Sequence, residues 1–361
     1  MRLTFEKLTE LTKHLAGAIY RDAIPLTGWR IVDNLDYGTP LPPDDDPAWQ
    51  PLPEGGAWGG RLRWAWMKTS ATIPADFAGK PVALRIQFEP LRKTPETQVF
   101  SPPEALVEIS GIDTPPQTID QIHYDILLAE SAPGDTPLEI VLDMFSGSSQ
   151  EAGHRVRFRR AEMVWIDREA EALYFDANVL LDSIAAMPES ASARGTLLRT
   201  LDEAFAALDW RNLFDEAFSD GVRAARKHLR NCVYEAGNSG DPRVPRPRIH
   251  ALGHAHIDVE WLWPLDVTRG KAERTFSTAL MLMERFPGYT FTQSQPQLYK
   301  LLSQTRPDIY ERVKARVREG RLNPTGGTWV EPDTNLPSGE ALVRQFLFGM
   351  RYFERELGVR P

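Results

Sequence analysis

Residues Gly237-Asn238-Ser239-Gly240-Asp241-Pro242-Arg243-Val244-Pro245-Arg246-Pro247 can continue neither a helix nor a central strand. Glycine loses more backbone entropy on ordering than any other residue, and proline lacks the amide donor that both structures use. This stretch reads as a linker, and it divides the chain into two parts of different texture. Before it the chain is first strand-like and then helical. After it, short apolar runs alternate with amphipathic ones.

In the first part, Leu8, Leu11, Leu15 and Ile19 recur at helical spacing and predict a helix over residues 4–22. Pro40, Pro42, Pro43, Pro47, Pro51 and Pro53 mark loops. From Gly56 to Trp165, alternating segments such as Val82–Phe88 and Leu138–Leu142 are separated by turn residues, the pattern of a β-sandwich. Residues 169–186, 191–208 and 213–234 are rich in Ala, Leu, Glu and Asp and read as helices. After the linker, Arg248–Gly253, Tyr289–Gln293 and Leu322–Thr325 read as strands. Helices are expected over Thr268–Phe286, Gln297–Leu302, Pro307–Glu319 and from an N-cap at Ser338 to a stop at Gly358. Alternation of this kind implies parallel strands joined by crossover helices.

The expected fold is therefore multidomain α+β. An N-terminal helix and β-sandwich domain spans 1–166, and a helical linker region spans 167–236. Residues 248–361 then form the first βα units of a (β/α) barrel-like catalytic domain. A closed barrel takes about 250 residues, so that last domain is expected to be truncated.

Composition narrows the function. The net charge is −8 and the pI about 5.5, which argues against nucleic acid as a partner. Arg155, Arg157, Arg159 and Arg160 alternate as a solvated strand face would. Cys232 is the single cysteine, so no internal disulfide can form. The segment from Met1 to Lys7 carries charge where a signal peptide needs an apolar core. No apolar run approaches a membrane span, so the expected compartment is the cytoplasm, with no membrane partner.

His254, His256 and Asp258 are spaced by two, which on an extended chain turns their side chains to one side. They follow an apolar strand, and in parallel α/β folds ligand sites lie at the C-terminal ends of strands. Imidazole and carboxylate together suit zinc. Trp261 and Trp263 follow; Trp261 is expected to face a substrate and Trp263 to pack in the core. An aromatic face beside a polar pocket suits a pyranose ring.

Gly253-His254-Ala255-His256-Ile257-Asp258 with Trp261-Leu262-Trp263-Pro264 resembles the first signature of glycoside hydrolase family 38, the class II α-mannosidases. Arg274-Thr275-Phe276-Ser277, Phe291-Thr292-Gln293-Ser294-Gln295 and Gly326–Glu340 resemble its next blocks, in the form of the cytosolic and bacterial branch. The resemblance implies a retaining, zinc-dependent α-mannosidase acting on terminal α-mannosyl residues of oligosaccharides. It makes His256 and Asp258 zinc ligands and places His254 behind them, orienting a ligand or binding the sugar. It puts Trp261 and Asp333 at the sugar; for Asp333 a cap at a helix entry is an equal alternative. Glu331 and Trp329 lie in the same block without a defined role. Cobalt or manganese could substitute for zinc.

The family's nucleophilic Asp and a further His ligand follow its third block, so both are expected beyond Pro361 and no catalytic residue is assigned within the chain. Two other readings stand beside this one: a metal hydrolase of the amidohydrolase type, and a non-enzymatic carbohydrate-binding module centred on the sandwich. A homo-oligomer would form through the N-terminal domain. The resulting prediction is that the 361-residue chain alone binds zinc weakly and does not hydrolyse a nitrophenyl α-mannoside; a substantial rate in that assay would overturn it.

Overall fold

A computed structural model describes residues 2–91, 102–148, 153–235 and 249–361. The linker 237–247 and Arg248 lie outside the described residues. Helix α1 (Arg2–Leu15) is followed by strands β1 (Tyr20–Pro25), β2 (Arg30–Leu35), β3 (Gln50–Pro51), β4 (Ala57–Trp58), β5 (Trp64–Ile73), β6 (Val82–Pro90), β7 (Glu104–Ser110), β8 (Gln117–Ile119), β9 (Asp125–Ala129), β10 (Thr136–Phe145) and β11 (Val156–Ile166). Helices α2 (Arg168–Ala186), α3 (Ser192–Ala206) and α4 (Glu216–Leu229) come next. The last part runs β12 (Gly253–His254), α5 (Leu265–Arg285), β13 (Phe291–Gln293), α6 (Pro296–Thr305), α7 (Pro307–Arg318), β14 (Leu322–Pro324) and α8 (Gly339–Tyr352).

The first eleven strands form two antiparallel sheets. One has the order β1-β11-β6-β9 with β4 also on β11, and the other β3-β2-β5-β10-β7-β8. Alternation along β10 explains how they stack. Leu138, Ile140, Leu142 and Met144 face inward and join Met67 and Val107 of the same sheet with Leu84, Ile86, Phe158 and Met163 of the other in one core. Glu139, Val141 and Asp143 therefore lie on the outer face.

The N-terminal helix is shorter than its periodicity predicts. It ends at Leu15, one short turn spans Ala16–Ala18, and Tyr20 opens β1 opposite Ile166. Gly17 weakens helix continuation, and Ile19 is buried with Ala83, Val164 and Ile166 on the sandwich. Helix α1 itself packs away from the sandwich, placing Leu8 and Leu15 in a cluster with Leu173, Leu201, Phe205 and Phe218 of α2–α4. Asp167 and Asp215 cap α2 and α4 by accepting from Ala170 N at 3.1 Å and Phe218 N at 2.8 Å, each cap contributing about 1 kcal/mol.

Arg157 and Arg159 approach Glu89, and Arg155 approaches Asp33, so the arginines beside and along β11 form an ion-paired outer surface. The alternation is broken by a bulge between Phe158 and Arg160.

Beyond the linker, β12, β13 and β14 form a parallel sheet, with Gly253 opposite Phe291 and Phe291 opposite Leu322. The strand expected from Arg248 is reduced to Gly253–His254. Ile249 and Leu252 are 88% and 61% exposed, and among the described residues the sheet has no strand on the far side of β12. No helix among the described residues is long and apolar enough to cross a membrane.

The sandwich docks on this parallel unit through its outer face. Trp64 and Phe145 bury against Trp263 and Val267 at the start of α5. Beside them, Glu104 of β7 meets Arg274 Nη2 at 2.5 Å and Lys271 Nζ at 3.1 Å on α5. Burial works to raise the pKa of Glu104, but the two cations outweigh it and hold it below the usual carboxylate range. Thr118 of β8 reaches Arg274 O and the hydroxyl of Thr278.

Asp143 lies on the same face without a hydrogen bond or ion pair among the described residues. Burial, reinforced by the negative charge of Glu273, pushes its pKa up to about 7. A carboxyl with a raised folded-state pKa leaves stability unchanged below the unfolded value, removes it progressively as pH rises towards 7, and holds the full loss above that. We predict that Asp143→Asn raises unfolding free energy by roughly 2–4 kcal/mol at pH 8 and has little effect at pH 4. Urea unfolding of both proteins at the two pH values measures this; equal gains at both would refute it.

Candidate active site

The C-terminal ends of parallel strands share one edge of a sheet, so the loops that follow them converge. Here the loop after β12 brings His256 and Asp258, the loop after β13 brings Ser294 and Gln295, and the loop after β14 brings Glu331. His256 stands at the centre. Its Nε2 is 3.1 Å from Asp258 Oδ1 and its Nδ1 is 2.6 Å from Glu331 Oε2. Partial burial opposes charging of the ring, but the two carboxylates outweigh it and raise the pKa of His256 above the usual imidazole value.

Buried hydrogen bonds hold these groups in place. Gln295 is 1% exposed and adopts a left-handed backbone at φ 63°. Its Nε2 donates to Ile257 O at 2.9 Å, and its Oε1 accepts from Glu331 N at 3.3 Å. Ser294 Oγ donates to Glu331 Oε1 at 2.6 Å. One side chain therefore ties the His256–Asp258 loop to the Glu331 loop, and its neighbour orients the glutamate. On the other flank, buried Thr268 of α5 donates to Asp258 O at 3.4 Å and accepts from Glu260 N at 3.2 Å and Trp263 Nε1 at 3.1 Å. Glu260 also takes a left-handed conformation, φ 60°, so the turn between Asp258 and Trp261 is held against its backbone preference.

The Glu331 loop depends on glycine. Gly326 and Gly327 have φ 80° and 94°, and a Cβ on Gly349 of α8 would lie 2.0 Å from Gly327 O. Backbone meets backbone there, which lets Gln345 of α8 accept from Val330 N at 2.9 Å through Oε1 and from Trp329 N at 3.0 Å through its carbonyl.

The residues singled out in the sequence fall as follows. His256 and Asp258 are brought together. His254 is exposed at the end of β12 and makes no hydrogen bond or ion pair with either of them among the described residues. The strand ends at His254, so simple alternation does not carry the side chains onward. Trp261 is 54% exposed, while Trp263 is 8% exposed and meets it edge-to-face at 5.4 Å between ring centroids. Asp333 is exposed and accepts from Asn335 N at 3.0 Å in a local turn; the N-cap of α8 is Ser338, which accepts from Ala341 N at 3.2 Å.

Glu331, to which the sequence gives no defined role, holds the second nitrogen of His256. The signal that finds it is its place in the loop after the third parallel strand, announced by Gly326-Gly327.

The donor set fits a zinc ion. Neighbouring ligands about 2.0–2.1 Å from zinc stand about 3 Å apart, as His256 Nε2 and Asp258 Oδ1 do. A zinc-binding histidine commonly donates its other ring N–H to a carboxylate, the position Glu331 occupies. Among the described residues no group of three or more His, Cys, Asp or Glu side chains is arranged to hold a metal, and two protein ligands are fewer than catalytic zinc sites use.

Residues 246–361 match the glycosyl hydrolases family 38 N-terminal domain. The chain is 37% identical over 200 residues to α-mannosidase G of Dictyostelium discoideum, covering 55% of this chain and 17% of that protein. It is 29% identical to the α-mannosidase of Saccharomyces cerevisiae, over 92% of this chain and 32% of the relative. With mouse α-mannosidase 2C1 the identity is 26% over 99% of this chain and 34% of the relative. The resemblance to glycoside hydrolase family 38 is therefore carried by residues 246–361, which match that family's N-terminal domain, and by these α-mannosidase relatives. It spans about a third or less of the length of these relatives.

Replacing Gln295 with Leu should leave Ile257 O without its buried donor and free Glu331 N. We expect a loss of about 1–3 kcal/mol in urea unfolding. A stability equal to wild type would show that Gln295 is not the clamp described here.

Proposed function

We propose that the protein is a zinc-dependent, retaining α-mannosidase and that this chain supplies one wall of its sugar site. The observation that carries the reading is His256, placed between Asp258 and Glu331 at the strand ends of a family 38 domain. The family match over these residues favours it above the amidohydrolase alternative. The names of the relatives point to α-mannosides as substrate.

His256 and Asp258 would hold the ion. With its Nδ1–H given to Glu331, His256 presents the Nε2 lone pair, so Glu331 selects the tautomer that can ligate. A bound zinc supplies a fixed positive charge that anchors sugar hydroxyls. Exposed Trp261 offers an apolar face on which the C–H groups of a pyranose can stack, and the Asp333 carboxylate is an acceptor for a hydroxyl. In this reading these residues bind and orient the sugar; the resemblance adds the double-displacement course, whose attacking carboxylate is none of them. The free, exposed thiol of Cys232 suits a reducing compartment, and the cytoplasm is our proposed location.

Calorimetric titration of the chain with zinc should show one weak site. It should be lost in His256→Ala and Asp258→Ala and weakened about 10- to 100-fold in Glu331→Gln. Methyl α-D-mannoside should change the tryptophan fluorescence of the zinc-loaded chain, and Trp261→Ala should abolish the change. Zinc affinity that survives His256→Ala, or an equal response to a β-galactoside, would sink the assignment.

A further inference from the structure

A cavity of about 570 Å³ opens between the sandwich and the parallel unit, and none of its lining residues belongs to the His256 site. Its sandwich wall is Tyr37, Trp64, Trp66 and Asp143, and its opposite wall is Glu273 of α5 with Arg306 and Asp308 at the start of α7. Asp143 shares the outer face of the sheet with Trp66 across β5 and Leu106 across β7. Asp143 itself lines this cavity.

The charges around it sort into two groups. Arg306 is engaged by Glu108 at 2.8 Å and Asp308 at 2.8 Å. Arg63 is paired with Asp36, and Arg274 with Glu104. Asp143 and Glu273 remain without a cation within ion-pair distance among the described residues. Among the described residues Glu273, 6% exposed, accepts only the hydroxyl of Tyr37, at 2.7 Å. Asp143 accepts no hydrogen bond among the described residues. Two enclosed carboxyls that repel each other are relieved by a proton or by a counter-cation placed between them. The rings beside them favour the second: Tyr37 packs edge-on to Trp64 at 5.5 Å, and aromatic faces attract organic cations.

We propose that this interdomain cavity binds a small ligand bearing a primary ammonium group, held between the Asp143 and Glu273 carboxylates against Tyr37 and Trp66. The ligand competes with the proton that Asp143 keeps up to about pH 7. An alkylammonium stays charged well above that pH, so binding strengthens as pH rises. Arg306, Glu108, Asp36 and Asp308 line the same cavity, and Arg274, paired with Glu104, acts on Asp143 from α5. Arg306 is held by Glu108 and Asp308, Arg63 by Asp36, and Arg274 by Glu104, so each of these charges has its own partner.

The probe is 1,4-diaminobutane, added to the full chain and followed by calorimetry. Expected results are saturable binding at pH 8, roughly tenfold weaker binding at pH 6, and none for 1,4-butanediol. Asp143→Asn and Glu273→Gln should each weaken binding at least tenfold, and Asp143→Asn should remove the pH dependence. Exposed Asp182→Asn serves as a control for surface charge and should bind as wild type. His256→Ala, which tests the zinc site, should leave diamine binding unchanged, so this proposal and the mannosidase reading can fail separately. Butanediol binding as well as the diamine, an unaffected Asp143→Asn, or no diamine binding at pH 8 would overturn the proposal.

Discussion

Helix α5 is the element on which both halves of the molecule depend. Its first turns hold the active-site loop through Thr268, which meets Asp258 O and Trp263 Nε1, and its middle turns take the sandwich through Lys271, Arg274 and Thr278. Its remaining face joins the core of the parallel unit through Phe276, Leu280 and Met283. A helix buried on so many sides must carry polar residues inward, and several of them are matched by neighbours. Glu104 answers two cations, and Thr268 serves one acceptor and two donors. Breaking a buried ion pair by removing one partner leaves the other charge uncompensated, commonly a cost of about 3–5 kcal/mol. The register of sandwich against α5 is therefore set by charge as much as by the Trp64–Trp263 contact.

Much of this was legible in the residues. Alternation in β6 and β10 located the sandwich, and the 3.6-residue period located α2, α5 and α7. Ser338 and Gly358 marked the ends of the last helical stretch. These signals are local, and local energetics decide them. The extent of the first helix was misjudged because Ile19 answers to β6 and β11, far along the chain, and not to Leu15. The strand before Gly253 shrank for a related reason: an apolar run becomes a strand only where another strand pairs with it.

The site was half legible. His256, Asp258 and Trp261 stand close in sequence, and their types alone suggest a metal and a sugar. Glu331 and Gln295 come from later loops and reach the His256–Asp258 loop because three parallel strands end on one edge. Nothing in the composition of either loop distinguishes a glutamate that holds an imidazole from one that faces water. Asp143 shows the opposite difficulty. It reads as an ordinary outward-facing strand residue, and only the arrival of α5 over that face turns it into an enclosed acid.

Synthesis from the N-terminus gives the α5 junction a temporal meaning. The helix is translated after the whole sandwich and after α2–α4, so its docking surface can already be formed when it leaves the ribosome, since domains generally fold as units in the order they are made. The Trp64–Phe145 patch and buried Glu104 would then wait as an exposed apolar surface beside an unpaired acid. The sandwich is in that sense a built-in template for the parallel unit, and its outer face is the surface most exposed to aggregation while the rest of the chain is still being made.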